Sequence, residues 1–200
     1  MFISHRINTV QQLAQAPTGH GVELDLRDRG ERLILQHDPF KDGEDFADYL
    51  RHYRHGLMIL NIKSEGIEPR VLEEVRRAGT VKDYFFLDCS FPMMNRLIKQ
   101  GERRIAVRFS ELEPLAFALA LAGKAEWVWV DCFTRLPLDR DTHQALSRHF
   151  KICIVSPELQ GHPLERIGEF ARQLKDFPVQ AICTKRADLW RAAFGEEPFA

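Results

Sequence analysis

Residues 57–87, LMILNIKSEGIEPRVLEEVRRAGTVKDYFFL, contain one complete folding unit. The apolar run 57–62 reads as a buried strand. After it, Ile67, Val71, Leu72 and Val75 recur at the three-to-four spacing that gathers them on one helix face. Gly79 then stands where a left-handed helix end is expected, and the aromatic run 84–87 reads as the next strand. Strand, helix and strand in this order imply parallel pairing of the two strands.

The same alternation extends in both directions. Strand-like runs at 1–4, 22–26, 104–109, 127–130, 152–155 and 179–183 bring the number to eight. Leu164, Ile167, Phe170, Ala171 and Leu174 repeat the helical spacing, residues 115–122 are an alanine-rich helical pattern, and Gly101 and Gly123 sit as Gly79 does. Residues 33–36 are the exception, expected to form a short strand or hairpin after the second strand. With helical stretches between most of the strands, such units form either an open doubly wound sheet or a closed barrel, and about eight strands in 200 residues favour an α/β chain folded as a compact (β/α)8 barrel of the TIM type. No repeat, low-complexity tract or linker interrupts it, so residues 1–200 are expected to be a single domain.

Composition limits the partners. Lys and Arg number 28 against 29 Asp and Glu, and a formal net charge of -1 removes any electrostatic case for nucleic acid or for an anionic membrane surface. No apolar stretch reaches a membrane-spanning length, and the N-terminus lacks the pattern of a secretory leader. Cys89, Cys132, Cys153 and Cys183 are widely spaced, without a C-x-x-C pair, and are expected to be reduced, buried thiols. The expectation is a cytoplasmic protein without stable membrane association; the oligomeric state is left open.

In parallel α/β folds ligands bind at the C-terminal ends of the strands. Those positions here carry His5, Arg6, Glu23, Asp25, His37, Asn61, Lys63, Asp88, Arg108, Asp131, Glu158 and Lys185. Glu23 and Asp25, two apart on a strand, point to the same face and repel unless neutralised. A hard divalent cation, Mg2+ or Ca2+, would do so; Arg27 or Lys63 in a salt-bridge layer is the other reading. His5 and His37 each follow an apolar run at a strand end, where an imidazole can serve as acid or base at neutral pH. His20, His52, His55, His143, His149 and His162 fall in loop-like or polar helical contexts and are expected at the surface.

The order His5-Arg6, Glu23-x-Asp25, His37-Asp38 and x-x-Lys63 resembles the glycerophosphodiester phosphodiesterase family, whose pattern is H-R, E-x-D, H-D and E-x-K. The resemblance is strong from His5 to Lys63 and extends loosely to 184–188. It implies a phosphodiester hydrolase in which His5 and His37 are the acid and base. Glu23, Asp25 and the residue at 61 would hold the metal, and Arg6 and Lys63 would contact the phosphate. Three positions depart from the pattern: Asn61 replaces an acidic ligand, Lys185 replaces an acidic residue of the closing motif, and Ile7 replaces the glycine usual after His-Arg. The outer residues Asp88, Arg108, Asp131, Glu158 and Lys185 are expected to read the substrate's alcohol part, or else to form salt bridges around the strand ends. Their mixed polarity favours a small glycerol- or sugar-linked phosphodiester. Attack by water and attack by a substrate hydroxyl remain open. A catalytically inert barrel binding a phosphorylated ligand is the alternative suggested by Asn61 and Lys185, and a Schiff-base aldolase using Lys63 or Lys185 leaves the two histidines unexplained.

Overall fold

The computed structural model describes residues 1–195 and Phe199. In chain order the elements are β1 (Phe2–Ser4), α1 (Val10–Gln15), β2 (Gly21–Arg29), β3 (Arg32–Leu35), β4 (Glu44–Asp45), α2 (Phe46–His52), β5 (Met58–Ile62), α3 (Glu68–Ala78), β6 (Tyr84–Leu87) and α4 (Phe91–Lys99). They continue as β7 (Ala106–Phe109), α5 (Leu115–Leu119), β8 (Trp127–Val130), α6 (Arg140–Ser147), β9 (Lys151–Val155), a 3-10 turn (Pro157–Gln160), α7 (Arg166–Leu174), β10 (Ala181–Thr184) and α8 (Ala187–Phe194). All eight expected strands are present, and the protein is α/β. Gly79, Gly101 and Gly123 have φ of 66°, 87° and 73°, the left-handed geometry expected where helices end.

The chain divides into two compact units, residues 4–102 and residues 1–3 with 103–200. In the first, β2 pairs in parallel with β5, and β5 in parallel with β6. On its other side β2 pairs antiparallel with β3, which pairs antiparallel with β4. The hairpin foreseen at 33–36 is therefore real, but β2 is longer than expected and β4 adds a strand that its two polar residues did not announce. Helices α2 and α3 cover the sheet with Phe46, Tyr49, Leu50, Val71 and Val75, all fully or nearly fully buried. Each such apolar side chain contributes roughly 1.5–3 kcal/mol.

In the second unit β7, β8, β9 and β10 pair in parallel in that order, and Ile182 N donates to Met1 O beside β1. Strands β8 and β10 are buried along their whole length and β9 after Lys151, and Ile167, Phe170 and Leu174 of α7 and Trp190 of α8 are buried as well. Trp127 and Trp129 of β8 are buried too.

Two expectations need correction. His20 is buried, not at the surface; it stands directly before β2, and its Nδ1 lies 3.1 Å from Ser4 Oγ at the end of β1. The four cysteines are free thiols, but only Cys132, Cys153 and Cys183 are buried; Cys89, one residue beyond the bend at Asp88, is partly exposed. No helix among the described residues is long and apolar enough to cross a membrane.

Candidate active site

The first unit gathers one polar cluster along the middle of β2 and at the C-terminal ends of β1, β3, β5 and β6. Glu23 and Asp25 stand on one face of β2 and are 1% and 0% exposed. In the parallel register Asp25 lies beside Asn61 on β5, because the two strands pair through these positions. Asn61 Nδ2 donates to Glu23 Oε1 at 2.8 Å. Burial raises the Glu23 carboxyl from 4.5 to about 7, and the charge of Asp25 adds to the rise; the hydrogen bond from Asn61 opposes it. Two buried carboxyls thus share a site that is short of positive charge.

The loop after β1 supplies most of the donors. Arg6, held at φ 54°, gives its backbone N–H to Glu23 Oε2 at 2.7 Å. A left-handed conformation is uncommon for a side chain of this size, and it sits one residue before the position where a glycine is usual in the motif. His5 Nε2 lies 3.7 Å from Glu23 Oε2. Asn8 holds Asp25 from two sides, donating from Nδ2 to Oδ2 and accepting from the Asp25 backbone N–H, both at 2.8 Å. Tyr49 of α2 donates to Ile7 O at 2.9 Å, so a fully buried aromatic anchors the same loop.

His37 joins the cluster through Arg6. The Arg6 guanidinium reaches Asp25 Oδ2 at 3.9 Å and lies 2.7 Å from His37 Nε2. A guanidinium can only donate, so Nε2 is the acceptor and the proton sits on Nδ1, which faces Asp38 Oδ1 at 2.9 Å. The hydrogen bonds from His37 and Lys41 hold the Asp38 carboxyl down at about 2. The loop carrying His37 returns tightly to β3 at Gly43, where a side-chain Cβ would stand 2.2 Å from Leu35 O. Lys63 follows β5 and donates to Asp88 Oδ2 at 3.0 Å while lying 3.8 Å from Asp25 Oδ1.

Asp25 Oδ1 and Asn61 Oδ1 are buried and accept no hydrogen bond. Two orphaned oxygens on adjacent strands, next to a carboxyl whose ionisation is resisted, fit a hard, oxygen-seeking cation. Among the described residues no three His, Cys, Asp or Glu side chains are arranged to hold a metal ion. A cation here therefore needs the Asn61 amide oxygen to complete the protein ligands.

The remaining expected residues, Arg108, Asp131, Glu158 and Lys185, belong to the second unit. Arg108 bridges Asp131 and Glu113, the latter at 3.1 Å, and Asp131 also accepts from Gln160 at 2.9 Å and Trp129 at 3.3 Å. Glu158 accepts from Ser156, from Thr184 at 2.6 Å and from the Lys185 backbone N–H at 3.0 Å, so its carboxylate ties the end of β10 to the 3-10 turn. Lys185 itself is exposed.

The sequence alone suggested no role for Asn8 or Asp38, and it offered Arg27 only as a salt-bridge partner of Glu23 and Asp25, whereas the guanidinium meets the carbonyls of His37 and Lys63. A signal for the first existed: Asn8 precedes Thr9 and Gln12, whose reciprocal capping bonds start α1 and fix the direction of the loop. Asp38 was adjacent to a chosen histidine, and Arg27 shares strand parity with Glu23 and Asp25.

An α/β chain of parallel strand–helix units, with imidazoles, carboxyls and cations collected at strand ends, defines the class of architecture. No family model matches the chain, and no curated protein does. Among solved structures the chain is similar to a glycerophosphodiester phosphodiesterase from Agrobacterium tumefaciens, with a TM-score of 0.72 and 20% identity over 98% of this chain and 99% of that one. It is also similar to a second protein of that organism, assigned as a glycerophosphoryl diester phosphodiesterase, with a TM-score of 0.71 and 16% identity over 97% of this chain and 96% of that one. The chain has the fold of these proteins.

Proposed function

We propose that this chain is a phosphoric diester hydrolase of the glycerophosphodiester phosphodiesterase kind. It uses a divalent cation, Mg2+ or Ca2+, and cleaves a small glycerol- or sugar-linked phosphodiester with His5 and His37 as acid and base. The observation that carries this reading is Arg6. Its backbone binds Glu23 while its guanidinium touches both Asp25 and His37, so one residue joins the carboxyl pair to the second imidazole. The likeness in fold to two phosphodiesterases over nearly the whole chain supports the same reading.

Glu23, Asp25 and the Asn61 amide oxygen would hold the cation, which when bound neutralises a phosphate oxygen. Arg6 and Lys63 bind the remaining phosphate charge, and the anion draws the Arg6 guanidinium off His37 Nε2. That nitrogen, its tautomer set by Asp38, takes the proton of the attacking hydroxyl as its oxygen bonds phosphorus. The bond from phosphorus to the leaving alcohol breaks, and His5 protonates the departing oxygen. Asp88, Arg108, Asp131, Glu158 and Lys185 are proposed to read the alcohol part; the ties of Glu158 to its own unit make it the residue best explained by structure alone.

The same proposal takes residues 1–200 as one compact (β/α)8 barrel domain, supported by the parallel neighbours β2, β5 and β6 in the first unit and β7 to β10 in the second, each pair joined through a helix. We place it as a cytoplasmic enzyme acting on a small molecule, with neither nucleic acid nor a stable membrane partner, in line with its net charge of -1. A second reading, an inert barrel that binds a phosphorylated ligand, is favoured by the Asn61 amide group lying against Glu23 where a third carboxylate would otherwise be. Phosphorus NMR on a panel of glycerophosphodiesters, nucleotide-linked sugars and lysolipids, each with Mg2+, Mn2+ or Ca2+, separates the two. Metal-dependent monoester or cyclic phosphate from a soluble diester is expected. Saturable binding without turnover of any of them would establish the inert reading.

A further inference from the structure

Arg27 is the third residue on the β2 face that carries Glu23 and Asp25, yet it pairs with neither. Its guanidinium faces main-chain carbonyls instead: Nε and Nη2 donate to His37 O at 3.1 and 2.8 Å, and Nη1 donates to Lys63 O at 2.7 Å. His37 and Lys63 lie on different elements, one after β3 and the other after β5, and β2 is the strand between them. We propose that Arg27 is the positioning residue of the site, a clamp that fixes the peptide of His37 relative to that of Lys63 and so sets the imidazole against the phosphate contact. The proposal rests on the phosphodiesterase reading for what the two residues do, but not for the clamp itself.

The chemistry of the side chain supports the assignment. A planar guanidinium presents donors along fixed directions and can serve two carbonyls at once, whereas an ammonium is a point charge on a flexible stem. Three of its five N–H donors go to these two carbonyls and, among the described residues, none goes to a carboxylate, an arrangement that makes little sense as a salt bridge and good sense as a brace. The side chain of His37 is held by Asp38 and Arg6. Its backbone, at the start of a loop that runs to Gly43, receives two of the three bonds from Arg27. Displacement of a base by about 1 Å from its productive position costs on the order of 10²-fold in rate.

The test uses full-length protein labelled with 15N in histidine. In Arg27→Ala, and separately in Arg27→Lys, kcat on the best diester of the panel is expected to fall roughly 10²-fold with KM changed far less. Guanidinium ion at low millimolar concentration is expected to restore part of the Arg27→Ala rate and none of the rate of His37→Ala. The His37 ring nitrogen signals are expected to lose their Nδ1–H tautomer pattern in Arg27→Ala and to regain it with guanidinium. That readout needs no turnover. A wild-type protein without activity whose His37 signals still depend on Arg27 retires the phosphodiesterase reading and keeps the clamp. An active enzyme whose kcat and His37 signals are unchanged in both variants overturns the clamp and keeps the reading, as does a loss that guanidinium cannot rescue in either readout.

Discussion

Replacing Glu23 with Gln tests the electrostatics on which the whole site is built. Burial and Asp25 hold the Glu23 proton to about pH 7, against 4.5 for an ordinary glutamate. At ~1.4 kcal/mol per pH unit this is a destabilisation of about 3 kcal/mol once the carboxyl is ionised. The sign follows from which state keeps the proton. Below pH 4.5 both folded and unfolded chains hold it and Glu23 costs nothing by ionising. Between 4.5 and about 7 the unfolded chain has lost it while the folded chain retains it, so stability falls as pH rises; above about 7 the loss is complete. In the presence of a chelator, urea denaturation at a series of pH values should therefore show wild type losing about 3 kcal/mol more than Glu23→Gln between pH 4.5 and 8. Adding Mg2+ at pH 8 should recover stability in wild type and much less in the variant. Parallel pH–stability curves for the two proteins would refute the argument, because they would mean that Glu23 ionises in the fold as it does in water.

Four further substitutions examine the neighbours. Asn61→Asp supplies the missing carboxylate and should tighten Mg2+ binding measured by calorimetry; unchanged affinity would remove residue 61 from the cation's surroundings. Asn8→Ala strips buried Asp25 of two hydrogen bonds and should cost roughly 1–3 kcal/mol in urea denaturation, a smaller loss implying that water takes over both bonds. Gly43→Ala drives a Cβ against the Leu35 carbonyl and should cost about 1–3 kcal/mol while lowering activity through the His37 loop; a neutral result would show that the loop shifts freely. Asp38→Asn removes the group that fixes the His37 tautomer and should lower kcat by roughly tenfold, short of the loss from His37 itself; an unchanged kcat would leave Asp38 without a role.

The fold was legible because strand and helix periodicities differ and because glycines punctuate them. Residues 57–87 show both, and all eight strands fell where apolar or aromatic runs put them. What escaped was structure made by polar residues: β4 is Glu44-Asp45, which no β-propensity would select, and β2 runs three residues past its apolar stretch because β3 folds back on it. The site was legible where spacing carried the information. Glu23 and Asp25 share a face by strand parity, and the strand-end histidines came together around them. Asn8 escaped because its partner Asp25 is 17 residues away in sequence, and Arg27 was set against the carboxylates because the backbone carbonyls it holds have no signature of their own. For Glu158 the sequence left two readings open, because an acidic side chain at a strand end reads the same whether it faces a substrate or the hydroxyls of its own chain.

The most direct test of the account is the rate at which wild type, His5→Ala and His37→Ala release alcohol from the same soluble glycerophosphodiester at saturating Mg2+. Each variant should lose about 10²-fold or more in kcat, the usual size of a general acid or base contribution, while still folding as wild type does. A variant of either histidine that cleaves the diester at the wild-type rate would contradict the central claim that these two imidazoles, His5 beside Glu23 and His37 joined to Asp25 through Arg6, perform the chemistry.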